Sequence, residues 1–141
     1  MLIEEFAPAK INLTLRVLGR RSDGYHELQS LVAFATDAHA GDVLKLTSGE
    51  EFSLEVSGAE AAALDGENLV ETAAAALLQD WPDLKMGRFQ LEKRLPVASG
   101  MGGGSSDAAA AIRAIARVNG ITDPQKVFGD RVSRIGADIP V

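Results

Sequence analysis

The chain has 141 residues, 46% hydrophobic and 24% charged, a formal net charge of −6 and no cysteine; it fits one globular domain and excludes disordered, collagen-like and disulfide-built chains, thiolate metal sites and a cysteine nucleophile. The acidic balance argues against a general nucleic-acid binder. No apolar run nears the ~20 residues of a membrane span, and Glu4 and Glu5 stand where a signal peptide carries positive charge, so a cytoplasmic protein is expected.

From Lys10 onward, Ile11, Leu13, Leu15 and Val17 alternate with Asn12, Thr14 and Arg16, the two-residue period of a strand. The alternation predicts an apolar set facing the core, with Lys10, Asn12 and Thr14 together on the opposite face. Asp23-Gly24 marks a turn, and residues 28–34 and 43–47 read as further strands. Phe52, Leu54 and Val56 alternate with Ser53 and Glu55 until Gly58 closes the run. A helix is predicted after Asn68, which makes a capping-box spacing with Glu71; Val70, Ala74, Leu77 and Trp81 share one face, and Pro82 ends it. Residues 88–95 are predicted as a strand with Phe89 and Leu91 inward. A glycine-rich loop follows from Pro96 to Gly104, then a helix capped by Ser105 or Ser106. Ile112, Ile115 and Ala116 form its stripe, and Asn119-Gly120 stops it. Asp123-Pro124 reads as the cap and first residue of a last helix carrying Val127, Phe128 and Val132. With no repeat and no linker, the pattern is one α+β domain.

The most informative stretch is Leu95-Pro-Val-Ala-Ser-Gly-Met-Gly-Gly-Gly-Ser-Ser-Asp-Ala-Ala-Ala110. Glycines let a backbone approach a ligand closely, and a helix N-terminus offers free N–H groups and a positive dipole end to a phosphate. The P-loop pattern fails because Gly104 runs directly into Ser105 with no lysine between. The dinucleotide fingerprint fails at Ser105, and no GxSxG elbow is present. The residues fit either an ordinary capped glycine loop or a phosphate loop, and the Gly-Gly-Gly-Ser-Ser run before an alanine helix favours the second. Lys10 and Asp138 are either a solvated strand lysine and a loop aspartate or, if they meet beside that loop, a phosphoryl-transfer pair. In the second case the carboxylate accepts a hydroxyl proton and the ammonium steadies charge on the transferring group. Tyr25-His26 offers a ring and an imidazole to a flat heterocycle, or lies on a strand edge.

Taken together these stretches resemble the GHMP kinase superfamily, named for galactokinase, homoserine, mevalonate and phosphomevalonate kinases. The loop from Pro96 to Ser106 is similar to its ATP phosphate loop. Ala7-Pro-Ala-Lys-Ile-Asn-Leu13, Arg20-Arg-Ser-Asp-Gly-Tyr-His-Glu-Leu-Gln29 and Ile135-Gly-Ala-Asp-Ile-Pro-Val141 resemble the branch whose acceptor is 4-diphosphocytidyl-2-C-methyl-D-erythritol. The resemblance implies transfer of the γ-phosphate of ATP, with Mg2+, to the 2-hydroxyl of that cytidyl diphosphate sugar alcohol, a step of non-mevalonate isoprenoid biosynthesis. It implies Lys10 and Asp138 as catalytic residues. ATP is expected at Pro96, Val97, Ala98, Ser99, Gly100, Met101, Gly102, Gly103, Gly104, Ser105 and Ser106, with Asn68 and Lys93 near the nucleotide. Asn12, Tyr25 and His26 are expected to hold the substrate. Mg2+ is expected to arrive mainly on ATP, with Ser105 as its candidate protein contact. Met101 replaces a more usual leucine, a swap close in volume, and Ala98-Ser99 replace small glycines. No nucleic-acid or membrane partner is implied, and a monomer or homodimer is expected. The alternatives are another GHMP small-molecule kinase or, in this length of chain, a non-catalytic nucleotide-binding module.

The implied fold is the family's N-terminal domain over residues 1–141, similar to the second domain of ribosomal protein S5, a mixed sheet covered by helices. Family members are much longer and carry a C-terminal domain. The chain stops three residues beyond Asp138, where a strand is expected, so the expectation is a truncated domain, inactive or poorly active on its own.

Overall fold

In the computed structural model, which describes residues 1–63, 66–96 and 103–140, the strand signals of the first half divide between two sheets. The strands β1 (Leu2–Pro8), β2 (Lys10–Arg20), β3 (His26–Phe34), β4 (Gly41–Gly49) and β5 (Ser53–Ser57) precede α1 (Leu69–Asp80), β6 (Met86–Glu92), α2 (Gly103–Val118) and α3 (Pro124–Ile135). The larger sheet runs β1-β4-β6-β5. Its first two pairings are antiparallel and β5 pairs with β6 in parallel, a connection that needs a crossover, supplied by α1. Register places Ile3 and Phe89 on either side of Leu46, and Leu44 opposite Leu91. All five side chains are buried. The other face alternates charges, with Glu4 paired to Lys45 and Glu55 to Arg88, as suits a sheet with one solvated side.

The helices cover the apolar face. The helix α2 lies across β1 and β4, α1 packs beside it, and α3 rests on α1. Buried Ala108, Ala110, Ala111 and Ala114 leave room for close approach of helix to sheet. Asn68 caps α1 by accepting the Val70 N–H at 2.9 Å, and Asp123 caps α3 by accepting that of Lys126 at 3.0 Å. Trp81, at the end of α1, meets Phe128 of α3 edge to face at 5.0 Å, an arrangement the ring quadrupoles favour.

The expected burial of the β2 apolar set is overturned. Among the described residues β2 and β3 pair only with each other, and most of their large apolar residues are exposed, Leu15 to 60%. Beyond its base, the ribbon has no layer on either face among the described residues, so alternation there cannot sort side chains into core and solvent. The expected grouping of Lys10, Asn12 and Thr14 is also corrected. The register slips between Asn12 and Thr14, a bulge that moves the residues from Thr14 to Val17 to the other face. Lys10 and Asn12 therefore share a face with Leu15 and Val17, while Thr14 joins Ile11.

Three boundaries also differ from expectation. The strand β6 ends at Glu92 because the backbone N–H groups of Arg94 and Leu95 turn to the Asp42 carboxylate. The helix α2 begins at Gly103, so Ser105 and Ser106 lie within its first turn and do not cap it. Residues 137–140 form a turn where a strand was expected, since the chain folds back onto α3 through the Ile139 N–H to Gly136 carbonyl bond at 3.2 Å.

Candidate functional site

Lys10 and Asp138, from opposite ends of the chain, meet. The link from β1 to β2 is pinned by backbone bonds on both sides of Ala9, to Ala40 and from Ala35, each 3.0 Å. That fixes the start of β2, where Lys10 is 8% exposed although the rest of the ribbon is open. Its ammonium lies 2.8 Å from Asp138 Oδ1. The turn carrying Asp138 is anchored by Ile139, buried under α3. The Asp138 side chain remains 59% exposed. The pair thus joins a nearly buried cation to a carboxylate open to a ligand.

The start of α2 faces the same space. Ser106 Oγ donates to the Pro8 carbonyl at 2.7 Å, tying the first turn of the helix to the strand end two residues before Lys10. A cleft of about 250 Å3 results, lined by Lys10, Phe34, Ser105, Ser106, Gln125 and Asp138 among others. Its chemistry is that of an anion site, with the first turn of a helix, the Ser105 hydroxyl and an ammonium beside one carboxylate. Arg113, which the sequence reading missed, also lines it; its guanidinium is held by Glu5 Oε2 and the Phe6 carbonyl, each at 2.9 Å. Its helical position looks like any solvated arginine, so no local signal marks it.

Of the expected nucleotide loop, Pro96, Gly103, Gly104, Ser105 and Ser106 are described, the last four within α2, while Val97, Ala98, Ser99, Gly100, Met101 and Gly102 lie outside the described residues. A side chain at Gly104 would touch Leu69, the first residue of α1, at 3.4 Å, so the start of α2 sits close to the Asn68 cap. Lys93 is 3% exposed, and its ammonium lies 2.6 Å from Asp42 Oδ2 and 2.7 Å from Asp107 Oδ2. Both acids went unnoticed in the sequence. Burial raises the Asp107 carboxyl to about 7, its hydrogen bond from Lys93 opposing and the Asp42 charge reinforcing that rise. Burial lowers Lys93, but the hydrogen bonds to Asp107 and Asp42 outweigh it and leave the amine raised.

Tyr25 and His26 are not brought to this cleft. They stand at the far end of the ribbon, where His26 opposes Arg20 while Lys10 opposes Phe34. The turn there is held by Arg21 N–H to the Tyr25 carbonyl at 2.6 Å and by Gly24 at φ +89°, a left-handed conformation suited to glycine. Asn12 lies on the exposed ribbon and accepts from Ser30 Oγ at 3.1 Å. Among the described residues no three His, Cys, Asp or Glu side chains gather to hold a metal, and no helix is long and apolar enough to cross a membrane.

Residues 68–140 match the family model described as the GHMP kinases N terminal domain. The chain is 53% identical to the 4-diphosphocytidyl-2-C-methyl-D-erythritol kinase of Xanthobacter autotrophicus, covering 99% of this chain and 47% of that protein. It is 52% identical to the protein of the same name from Nitrobacter winogradskyi, covering 99% of this chain and 45% of that one. A crystal structure of 4-(cytidine 5'-diphospho)-2C-methyl-D-erythritol kinase superposes with a TM-score of 0.73 at 36% identity, over 98% of this chain and 47% of that one. The chain spans about half the length of the curated relatives it matches.

Proposed function

The chain belongs to the GHMP kinases, and on that premise we propose that it supplies the ATP-binding domain of a kinase that phosphorylates the 2-hydroxyl of 4-diphosphocytidyl-2-C-methyl-D-erythritol. The observation that carries this reading is the 2.8 Å Lys10–Asp138 pair in one cleft with the first turn of α2.

Phosphoryl transfer demands positioning and charge stabilisation more than covalent chemistry from the protein. Asp138 takes the proton of the acceptor hydroxyl as its oxygen attacks the γ-phosphorus; the bond to the bridging oxygen breaks and ADP leaves. Lys10 fixes the carboxylate from its buried side and faces the negative charge that builds on the transferring group. The N–H groups opening α2 and the Ser105 hydroxyl receive phosphate oxygens, while Ser106 ties the helix start to Pro8. Ser105 is the hydroxyl in the cleft that would meet a Mg2+ ion carried by the nucleotide, which would supply neutralisation of phosphate charge; no three His, Cys, Asp or Glu side chains gather to hold a metal among the described residues. Tyr25 and His26 hold the cytosine and Asn12 the acceptor face, a reading supported by the motif resemblance and by the names of the relatives.

The test is ADP release by a full-length kinase carrying this domain with ATP, Mg2+ and the cytidyl acceptor, alongside calorimetry of this chain with a non-hydrolysable ATP analogue. Phosphorylation of the cytidyl acceptor and not of mevalonate or homoserine is expected. Turnover of mevalonate or homoserine with the cytidyl compound untouched overturns the substrate assignment.

A further inference from the structure

The interior ion cluster lies outside the cleft, and the mechanism above uses none of it. Asp42, the second residue of β4, is completely buried, and Lys93 and Asp107 are nearly so. Burying charges costs several kcal/mol per ion before pairing offsets it, and apolar side chains would join the same elements at lower cost. The arrangement therefore calls for an account beyond cohesion.

The bonds of Asp42 supply that account. Its Oδ2 accepts from the Lys93 ammonium, and its Oδ1 accepts the backbone N–H groups of Arg94 at 2.5 Å and Leu95 at 2.8 Å. Lys93 passes the link to Asp107 of α2 at 2.7 Å. A side chain built on Gly103 would lie 3.4 Å from the Lys93 nitrogen and 3.7 Å from Asp42 Oδ2, so the first residue of α2 rests on the ion pair itself. Backbone leaving β6 and the opening turns of α2 are thus referred to a single carboxylate on β4, a strand of the central sheet.

Resting on the proposed function, we propose that Asp42 is a positioning residue for the nucleotide's phosphates, acting through Lys93 and Asp107 to set the N-terminus of α2 against the strand that leads to it. On this account Lys93 influences nucleotide binding from beneath the helix and not by touching the ligand. The ribbon is not part of the device, so recognition of the cytidyl group is independent of it.

The experiment compares the affinity of the whole chain for a non-hydrolysable ATP analogue with that for adenosine, by calorimetry, in wild type and Asp42→Asn. The asparagine keeps an oxygen for the two N–H groups but removes the charge that holds Lys93. The triphosphate is expected to bind about tenfold more weakly or worse, because small misplacements of binding groups are costly, while adenosine affinity stays unchanged. Asp107→Asn, which leaves Asp42 bonded to the backbone, gives the same pattern in weaker form and decides the matter should Asp42→Asn fail to fold. A folded variant with lowered thermal stability and an unchanged triphosphate-to-adenosine ratio overturns the positioning role. Wild-type protein that binds neither ligand instead overturns the reading of this chain as the ATP-binding domain, so the two failures are distinct.

Discussion

Asp138 is gripped at Oδ1 by a nearly buried ammonium and is otherwise open to solvent, a combination suited to a group that must meet a substrate hydroxyl in one orientation. Asp138→Asn keeps its size and removes its ability to take a proton, so turnover should fall by about 10²–10⁴-fold. Nucleotide affinity, measured by calorimetry, should stay within about twofold, because the proposed phosphate contacts are at α2. A variant that keeps full turnover would remove Asp138 from the proton-accepting role. A second single-residue case is structural. Gly87 sits in β6 at φ +127°, and a Cβ there would lie 2.1 Å from the Thr47 carbonyl oxygen. Gly87→Ala combines a strained dihedral with a backbone clash and should cost about 2–4 kcal/mol in urea denaturation.

Elements with the same sequence pattern end in opposite environments. Leu15 of β2 and Phe89 of β6 both sit in period-two runs, yet Leu15 is exposed and Phe89 is completely buried against Leu46, Phe52 and the helices. Phe89→Ala should therefore lose about 3–5 kcal/mol, whereas Leu15→Ala should change stability by less than about 1 kcal/mol; parallel urea titrations measure both. Strand existence was legible from the alternation, because it reflects backbone geometry within a few residues. Which strand receives a covering layer depends on topology, and nothing within β2 records that it pairs only with β3. The bulge after Asn12 was equally hidden, since no glycine or proline marks it. At the site, Lys10, Asp138 and the opening of α2 were legible as motifs, while their meeting was not, because it joins both ends of the chain. Asp42 was missed because an aspartate after glycine reads as a turn, and its partner Lys93 stands 51 residues away. Asp107 was missed because an acid early in a helix is ordinary, favoured there by the dipole.

At the scale of the whole molecule, the buried cluster links folding to protons. Asp107 titrates at 3.8 as a free side chain and at about 7 in the fold, raised by burial and by the Asp42 charge against the opposing hydrogen bond from Lys93. Between those values the native state binds more protons than the unfolded chain, so stability falls with rising pH across that window. The contribution of Asp107 is fully present below about pH 4 and is lost as pH rises through about 7. Glu55 and Glu92, held low by hydrogen bonds from Arg88 and Arg94, act in the opposite sense in acid, but they are identical in both proteins to be compared. Asp107→Asn keeps the shape of the group and removes its titration. Its stability relative to wild type should therefore rise between pH 5 and pH 8, the gap narrowing or reversing in favour of the variant. Urea denaturation of both proteins at the two pH values measures this directly, and a difference that stays constant would mean that the fold does not resist the ionisation of Asp107.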